Sequence, residues 1–508
     1  MTIKSRDFYL HALQIALALF AFVWAVVRAC VQSMTGDEAE SYLIFAARLQ
    51  PSHWVPAANN HLLNSLLMRG FTSVFGVSNL TVRAPALIGA ALYIAATFYL
   101  CQLIVRQWRV RIPLFVCLVY NPFMFDFFVA ARGYGLATAF LLCAILLAAR
   151  HHARSGGASS AILSCAGASA LLALSFSASF AFAVVDCVTM LAVLIWAAKR
   201  VTPSRPLYLR LIAAAIGPAL MVFILLPSWT VLHFPREELW DGATSVREMF
   251  ATVAAASIYE PNSNLLNPLL YPLVTQLRTY LLPALLILAS IHALLLASRR
   301  PRNRTPWLDD FAITITGIIA LSILGHWILL RYLHVLMPRN RTALFLVHLI
   351  TIWIGAVASF RPDWRIAAMS RRLLVAALPV AAAFFMICLR LSYFKEWQYQ
   401  ADLKKVYDVV ACYNHASGVR AVEVSWFYHA GLNYYRVLSG RENLMPFTMS
   451  LRHPPDKQLY VLNLSQEEDF IAAQHLSVVY KGESTDVGVA VIPEIAPESQ
   501  RSCYVPPR

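Results

Sequence analysis

Charged residues are scarce in this sequence. Asp, Glu, Lys and Arg together make up 14% of the 508 residues, whereas about a quarter of the residues in a soluble domain are charged. Hydrophobic residues make up 59% of the chain. One soluble core cannot bury so much apolar surface, so the composition excludes an ordinary soluble globular protein and predicts an integral membrane protein.

Several nucleotide- and metal-binding motifs are also missing. The sequence has no Walker loop, no GxGxxG unit and no DxD pair in a predicted cytoplasmic segment. No motif therefore indicates ATP hydrolysis or the use of a cytoplasmic nucleotide sugar. The nine cysteines form no CxxC pair and no Cys/His spacing typical of zinc or redox sites. No cofactor or metal site is predicted from ligand spacing, although acids at the outer face would suit a divalent cation.

The formal net charge of +15 does not indicate nucleic acid as a partner. Lys and Arg fall in short clusters between apolar runs instead of forming one basic patch. Such clusters are typical of the loops of a multi-pass membrane protein. The predicted partners are therefore membrane lipids, and no nucleic acid.

Eleven apolar runs are long enough to cross a bilayer, which takes about 20 helical residues. They are predicted at residues 8–29, 84–105, 112–128, 133–149, 158–175, 178–197, 211–231, 279–297, 311–330, 342–359 and 373–392. With the N-terminus in the cytoplasm, every inner loop is basic, as the positive-inside rule requires. The first run follows Lys4 and Arg6 without a clear cleavage site and is interpreted as a signal anchor. The predicted fold is mainly α, a polytopic transmembrane helical bundle.

Three outer segments are too long to be turns, namely residues 30–83, residues 232–278 and everything after about 393. Function is expected in these segments. The first contains two stretches of helical periodicity, near Tyr42 and Leu62, each with a polar opposite side. We predict that both are helices lying along the membrane interface.

The last outer segment changes in composition. It mixes a charged, helix-like run from Glu396 to Tyr413 with β-rich runs at 420–426, 459–464, 476–480 and 487–492. We therefore predict a transmembrane domain over residues 1–392 and a small exported (periplasmic) α/β domain over residues 393–508. Cys412 and Cys503 both lie in this domain, where either a disulfide or two unpaired thiols would fit the sequence.

Three acids follow the first predicted span, in the sequence Thr35-Gly36-Asp37-Glu38-Ala39-Glu40. One interpretation is structural: Thr35 or Asp37 caps the following helix, and Glu38 and Glu40 lie in its positive first turn. The other is catalytic, with Asp37 as a general base that removes the proton from an acceptor hydroxyl as it attacks a sugar carbon. One base suffices for such a transfer when the leaving group is a phosphate.

The same loop carries His61 among three amides, in the sequence Asn59-Asn60-His61-Leu62-Leu63-Asn64. A single histidine beside an apolar helix is often a hydrogen-bonded structural residue. Amide side chains both donate and accept hydrogen bonds, which suits sugar hydroxyls. Asn60 and His61 are therefore candidate substrate-binding residues.

Ionisable residues also lie within or beside apolar runs. Asp126 falls in the third predicted span, and Arg132 and Tyr134 follow in the sequence Ala131-Arg132-Gly133-Tyr134. Charged groups are costly in the membrane, so they indicate function unless they form a structural ion pair with each other. Arg339 and Arg341 lie on the outer side, where few arginines are expected. A guanidinium matches phosphate oxygens with two hydrogen bonds, although snorkelling to lipid headgroups is the alternative.

Taken in order, these residues resemble the multi-spanning glycosyltransferases of the GT-C type, the group of dolichyl-phosphate-mannose protein mannosyltransferases and bacterial lipid A aminoarabinose transferases. The resemblance is carried by Asp37-Glu38, Asn60-His61-Leu62, Arg83-Ala84-Pro85, Ala131-Arg132-Gly133-Tyr134 and Arg341-Thr342-Ala343-Leu344. It implies that Asp37, in the acidic pair with Glu38, activates the acceptor. It also implies that Arg132 and Arg341 contact the donor phosphate and that Asp126 assists in the cavity.

The resemblance predicts sugar transfer from a polyprenyl-phosphate donor to a glycan, lipid or protein acceptor at the non-cytoplasmic face. Richness in Ala, Leu and Arg is typical of GC-rich bacteria and favours undecaprenyl phosphate as the carrier and the bacterial inner membrane as the location. The tail does not resemble the β-trefoil insert of eukaryotic protein mannosyltransferases. Two alternatives remain open: a transporter or flippase of an anionic lipid, and a ligase or polymerase of lipid-linked polysaccharide.

Overall fold

A computed structural model describes most of the chain. The residues it leaves out are 1–2, 48–56, 155–156, 200–203, 229–232, 234–240, 263, 299–305, 451–456, 496–502 and 504–508. Leu49 of the first predicted interfacial stretch and the predicted inner loop around Arg300 lie outside the described residues.

Helices dominate the described residues. In chain order they are α1 (Ile3–Val31), α2 (Gly36–Glu40), α3 (Leu62–Phe75), α4 (Asn79–Ile104), α5 (Trp108–Val119), α6 (Pro122–Phe127), α7 (Tyr134–Arg154), α8 (Ala158–Ala178), α9 (Ala183–Ala198), α10 (Arg205–Leu225), α11 (Val246–Ser257), α12 (Tyr271–Ser298), α13 (Pro306–Leu333), α14 (Phe345–Ser359), α15 (Arg365–Ile387), α16 (Leu403–Ser417), α17 (His429–Ser439) and α18 (Glu468–Ala473).

Ten of these helices are long and apolar enough to span a bilayer, counting short turns that lead into α9 and α14. They are α1, α4, α7, α8, α9, α10, α12, α13, α14 and α15, with mean hydropathy between 1.6 and 2.3. Each coincides with a run predicted from the sequence. The chain is therefore an integral multi-pass membrane protein.

The predicted third span is not one continuous helix. Residues 112–128 belong to two short helices, α5 and α6, which are separated at Tyr120 and Asn121. The Asn121 side chain accepts hydrogen bonds from the N–H groups of Phe123 and Met124 at 3.1 and 3.2 Å, and Pro122 has no N–H to continue α5. The 12 residues of α5 extend about 18 Å, less than the roughly 30 Å hydrocarbon layer.

The chain divides into two compact units. The first contains residues 1–26, 54–64 and 84–389, and the second contains residues 27–53, 65–83 and 390–508. Residue 390 lies close to the domain boundary predicted at 392. The second unit also includes two stretches of the first outer loop, which the sequence had grouped with the transmembrane part.

The second unit contains a five-stranded sheet in the order β2-β1-β3-β5-β4. Its strands are β1 (Val422–Ser425), β2 (Met449–Ser450), β3 (Leu459–Asn463), β4 (Ser477–Lys481) and β5 (Val487–Val491). Strand β1 is parallel to β2 and β3, while β5 is antiparallel to β3 and β4. Every residue of β1 and of β5 is buried. The structure thus confirms the α/β character and the four β-rich runs that the sequence predicts.

Parallel neighbours need a crossover connection, and α17 supplies it between β1 and β2. The helix predicted from Glu396 is observed as α16, which begins only at Leu403 and ends before Gly418 in the left-handed conformation. Both stretches of the first loop that were predicted to be helical are helical in the structure. The stretch near Tyr42 forms α2 and the π-helical turn Ser41–Ala46, and the stretch near Leu62 forms α3.

Cys412 and Cys503 form a disulfide with a Cα–Cα distance of 5.7 Å, and 91 residues separate them along the chain. We expect Cys503→Ser to lower the stability of the second unit by about 2–4 kcal/mol, because the cross-link reduces the conformational entropy of the unfolded chain. Thermal unfolding of the purified protein with and without reductant measures this. Cys187→Ser, which removes an exposed free thiol, is the control and should unfold as wild type does.

Candidate functional site

The first-loop acids lie in the second unit, on the short helix α2. The Thr35 hydroxyl accepts the N–H of Glu38 at 3.3 Å, and the Glu38 carboxylate accepts the N–H of Thr35 at 3.0 Å. This reciprocal pair is a capping box, which the Thr-x-x-Glu spacing encodes locally. The capping interpretation made from the sequence is thus observed for Thr35 and Glu38, while Asp37 lies between them.

Glu38 is fully buried and binds Arg83, which is also fully buried. Arg83 donates from Nε to Oε1 at 2.8 Å and from Nη2 to Oε2 at 2.7 Å, a bidentate pair. Its remaining donors reach the backbone carbonyls of Ala29, Gln32 and Ser33 at 2.8–3.0 Å. Arg83 therefore joins α4 to the end of α1 and to the acidic loop. A catalytic role for Glu38 stays a prediction, and its contacts favour a supporting role.

Asp37 differs from Glu38 in its environment. It is half-buried, whereas Glu38 has no exposed surface. Its backbone carbonyl accepts the Ser41 hydroxyl at 2.8 Å, which extends the ordered turn. The loop thus places two adjacent carboxylates in different environments, Glu38 inside a buried ion pair and Asp37 half-buried.

His61 belongs to the first unit and lies at the start of α3. Its Nδ1 is 3.1 Å from the carbonyl oxygen of Ala178, and its ring contacts the Tyr134 ring edge-to-face at 4.7 Å. Burial, the positive charge of Arg132 and that of Arg341 hold the pKa of His61 well below its usual value. His61 is therefore neutral near pH 7. Nδ1 donates to Ala178, and Nε2 keeps its lone pair, with no hydrogen-bond partner among the described residues.

Arg132 is fully buried in the same unit, in the segment between α6 and α7. Its guanidinium donates to the side-chain oxygen of Asn59, an amide of the first loop. A second amide, Asn64, donates to the carbonyl of Ala131 at 3.2 Å. Two of the three asparagines beside His61 thus hold the Ala131-Arg132 segment. The structure brings Asn59, His61, Asn64, Arg132 and Tyr134 together.

Asn60 and Asp126 are also buried in the first unit, with 5% and 2% of their surface exposed. Asn60 lies directly before His61, and its N–H donates to the carbonyl of Ala57 at 3.0 Å. Asp126 lies on α6, and its carbonyl accepts the N–H groups of Val129 and Ala130. Asp126 therefore holds the turn that leads into the Arg132 segment.

Two glycines allow this close packing. A Cβ at Gly133 would lie 1.7 Å from the carbonyl oxygen of Ala178 and 2.9 Å from His61 Cβ, and a Cβ at Gly135 would lie 2.1 Å from the carbonyl oxygen of Phe127. Gly133 and Gly135 therefore leave room for backbone segments to come into direct contact at the start of α7.

We expect Gly133→Ala to destabilise the protein by about 1–3 kcal/mol and to lower activity, because the new methyl group must displace Ala178 or His61. Thermal unfolding in detergent, together with an activity assay, measures the effect. Gly217→Ala is the matched control, since a Cβ there meets no described atom within 4 Å. Equal unfolding midpoints for the two variants would contradict the prediction.

Arg339 and Arg341 lie in the segment before α14. Met337 pairs with Ala243 in an antiparallel bridge, with N–H to O distances of 2.7 and 2.9 Å. Arg339 is 3.5 Å from Asp241, and both side chains are partly exposed. Arg341 is half-buried, and its charge acts on His61. Of these two arginines, the structure thus relates Arg341 to the His61 cluster and Arg339 to an acid of another loop.

Sequence reasoning missed three residues that hold these segments. Arg83 stood in a motif that carried the resemblance, but its partner was not identified. The sequence presents Asn59 as one of three amides near His61 and does not indicate its bond to Arg132. Gln400, which accepts the N–H of Gly36 at 2.7 Å, gave no sequence signal. Among the described residues there is no group of three His, Cys, Asp or Glu side chains that could hold a metal ion.

Neither a protein-family model nor a curated protein sequence matches the chain. Its fold, however, resembles solved structures. ArnT from Cupriavidus metallidurans bound to undecaprenyl phosphate matches with a TM-score of 0.52 and 12% identity, over 96% of this chain and 98% of that protein. The archaeal oligosaccharyltransferase AglB from Archaeoglobus fulgidus, in complex with an inhibitory peptide and a dolichol-phosphate, matches with a TM-score of 0.44 and 10% identity, over 89% of this chain and 70% of AglB.

The arabinosyltransferase EmbB from Mycobacterium smegmatis matches with a TM-score of 0.45 and 12% identity, over 84% of this chain and 42% of EmbB. The match to ArnT extends over nearly the whole length of both chains and shows the fold. The chain has the GT-C type membrane fold that the resemblance predicts. At 12% identity the likeness concerns the fold alone.

Proposed function

We propose that this protein is a membrane glycosyltransferase that transfers a sugar from a polyprenyl-phosphate donor to an acceptor at the non-cytoplasmic face of the membrane. Asp37 is the general base that removes the proton from the acceptor hydroxyl. The proposal rests mainly on the different surroundings of the two first-loop acids. Glu38 forms a buried ion pair with Arg83, whereas Asp37 is half-buried on the same turn.

The arrangement suits a base because its position is fixed by its neighbours. Thr35 and Glu38 close the capping box, and Arg83 anchors Glu38 to three backbone carbonyls. A base held within a rigid turn loses little entropy when it meets the acceptor. Glu38 thus acts in the proposal as an anchor for Asp37.

The His61 cluster supports the donor side of the proposal. Arg132 and Arg341 are the cations that act on His61. Two arginines near a neutral histidine favour an anionic ligand such as a lipid phosphate, because guanidinium groups match phosphate oxygens. The Nε2 lone pair of His61 accepts a hydrogen bond from a sugar hydroxyl, and Asn60, Tyr134, Asp126 and Arg339 are further candidate contacts.

The proposed carrier and location rest on the similar ArnT structure, the composition and the disulfide. The similar ArnT structure holds undecaprenyl phosphate, and the composition of this chain is typical of a GC-rich bacterium. We therefore propose an undecaprenyl-phosphate sugar as donor and the bacterial inner membrane as location, with the second unit in the periplasm. The disulfide between Cys412 and Cys503 supports an oxidising compartment.

Reconstitution in liposomes tests this function. The purified protein is supplied with a radiolabelled polyprenyl-phosphate sugar and a membrane extract as the source of acceptor. We expect release of the polyprenyl phosphate together with labelling of an acceptor. Movement of the labelled lipid across the bilayer without release of its sugar would show a flippase and contradict the proposal.

Arg341→Ala is expected to raise the KM for the donor about tenfold or more while it changes the KM for the acceptor little, because the lost guanidinium binds donor phosphate. Initial rates at varied donor and acceptor concentrations measure the difference. Arg331→Ala, which removes an exposed arginine at the end of α13, is the matched control. An equal rise in both KM values would argue against a phosphate contact.

A further inference from the structure

We infer that Gln400 is a positioning residue for Asp37, a role that rests on the proposed function. Gln400 follows the last membrane helix and has 4% of its surface exposed. Its Oε1 accepts the N–H of Gly36 at 2.7 Å, and its Nε2 donates to the carbonyl of Phe427 at 2.6 Å. One buried amide thus connects the residue before Asp37 to the turn that follows β1.

The bond to Gly36 completes the start of α2. The first N–H groups of a helix have no partner within the helix. The capping box satisfies the N–H of Glu38 with the Thr35 hydroxyl, and Gln400 satisfies the N–H of Gly36 from outside. Asp37 lies between these two bonds, so its backbone orientation depends on both.

The close approach of Gln400 explains the glycine at position 36. A Cβ at Gly36 would lie 3.0 Å from Nε2 and 3.6 Å from Oε1 of Gln400. Any larger residue would press on the amide and shift the bond. The Thr-Gly-Asp sequence of the first loop is therefore matched to a glutamine 364 residues further along the chain.

Neighbouring contacts in the second unit hold the same loop. The Ser33 hydroxyl donates to the carbonyl of Ala401 at 2.5 Å, and the N–H of Met34 donates to the Tyr435 hydroxyl at 2.8 Å. Tyr435 also packs against Tyr407 and Tyr434, so its removal would damage the core. Of the contacts made by Ala401, Tyr435 and Gln400, the bond from Gln400 is the one to the residue next to Asp37. Gln400 can also be changed without a large cavity.

Gln400→Met tests the inference, because methionine has nearly the same shape and neither hydrogen bond. We expect kcat to fall about tenfold with an unchanged donor KM, since a shifted base slows the chemical step without weakening donor binding. Gln398→Met changes an exposed glutamine of the same turn and should behave as wild type. A wild-type kcat for Gln400→Met would overturn the inference.

Two further measurements separate positioning from general destabilisation. In an Asp37→Asn background, Gln400→Met should lower the residual rate no further, and a tenfold drop in both backgrounds would overturn the inference. Hydrogen exchange of residues 33–41 should be faster in Gln400→Met than in Gln398→Met. Unchanged exchange while Asp37→Asn is inactive would overturn the inference alone, whereas full turnover of Asp37→Asn would overturn the proposed function and the positioning role with it.

Discussion

Asp37→Asn is expected to reduce sugar transfer by about a hundredfold to ten-thousandfold. An amide of the same shape keeps the packing of the turn, but it cannot accept the proton of the acceptor hydroxyl. The KM for the donor should change little, because the donor phosphate is proposed to bind Arg132 and Arg341. Release of polyprenyl phosphate by the reconstituted variant, at saturating donor and acceptor, measures the loss.

Glu40→Gln is the matched control, since it neutralises another half-buried acid on the same short helix. It should retain turnover within a few-fold of wild type. The same thermal unfolding midpoint for wild type and both variants shows that the fold is intact. Full turnover of Asp37→Asn would exclude Asp37 as the base, and an equal loss in Glu40→Gln would point to the charge of the whole loop.

Arg83→Ala and Glu38→Ala are each expected to lower stability by about 3–5 kcal/mol. Each variant leaves its former partner as an uncompensated charge in a fully buried place, and the desolvation of that charge is the cost. Arg83→Ala also removes donors from the carbonyls of Ala29, Gln32 and Ser33. The yield of folded protein in detergent and its thermal unfolding midpoint measure both effects.

Lys405 and Glu483 provide the comparison, because their 2.6 Å ion pair is more than a third exposed on each side. Water and salt screen such a pair, so Glu483→Ala should change stability by about 0–1 kcal/mol. If Glu38→Ala were as mild as Glu483→Ala, the buried pair would not be the anchor of the first loop. Activity of any folded Glu38→Ala protein then separates the anchoring role from a catalytic one.

The sequence by itself determined the membrane class and most of the helices. The length and hydropathy of an apolar run are local properties, and they decide whether a segment partitions into lipid. Ten of the eleven predicted spans appear as helices for this reason. The strands of the second unit were also predictable from short β-rich runs, and two of them, β1 and β5, are buried along their whole length.

The eleventh predicted span is interrupted by a local signal that hydropathy averages away. Asn121 and Pro122 stop α5 and cap α6, although the residues around them are apolar. The helix is interrupted where the Asn121 side chain caps α6, although the mean hydropathy of the run is high. The sequence contained this signal, but only the geometry of the cap shows that it ends the helix.

Only the tertiary structure showed how the surroundings of Asp37 and Glu38 differ. The two acids are adjacent and chemically alike, and their difference depends on Arg83, 45 residues away, which removes one of them from water. Three other pairs are also far apart in the sequence and meet only in the tertiary structure: Gln400 and Gly36, Asn59 and Arg132, and Cys412 and Cys503. Residue patterns therefore identified the acids after the first span as a candidate site, whereas long-range burial and hydrogen bonding decided that Glu38 is enclosed in an ion pair and Asp37 is half-buried.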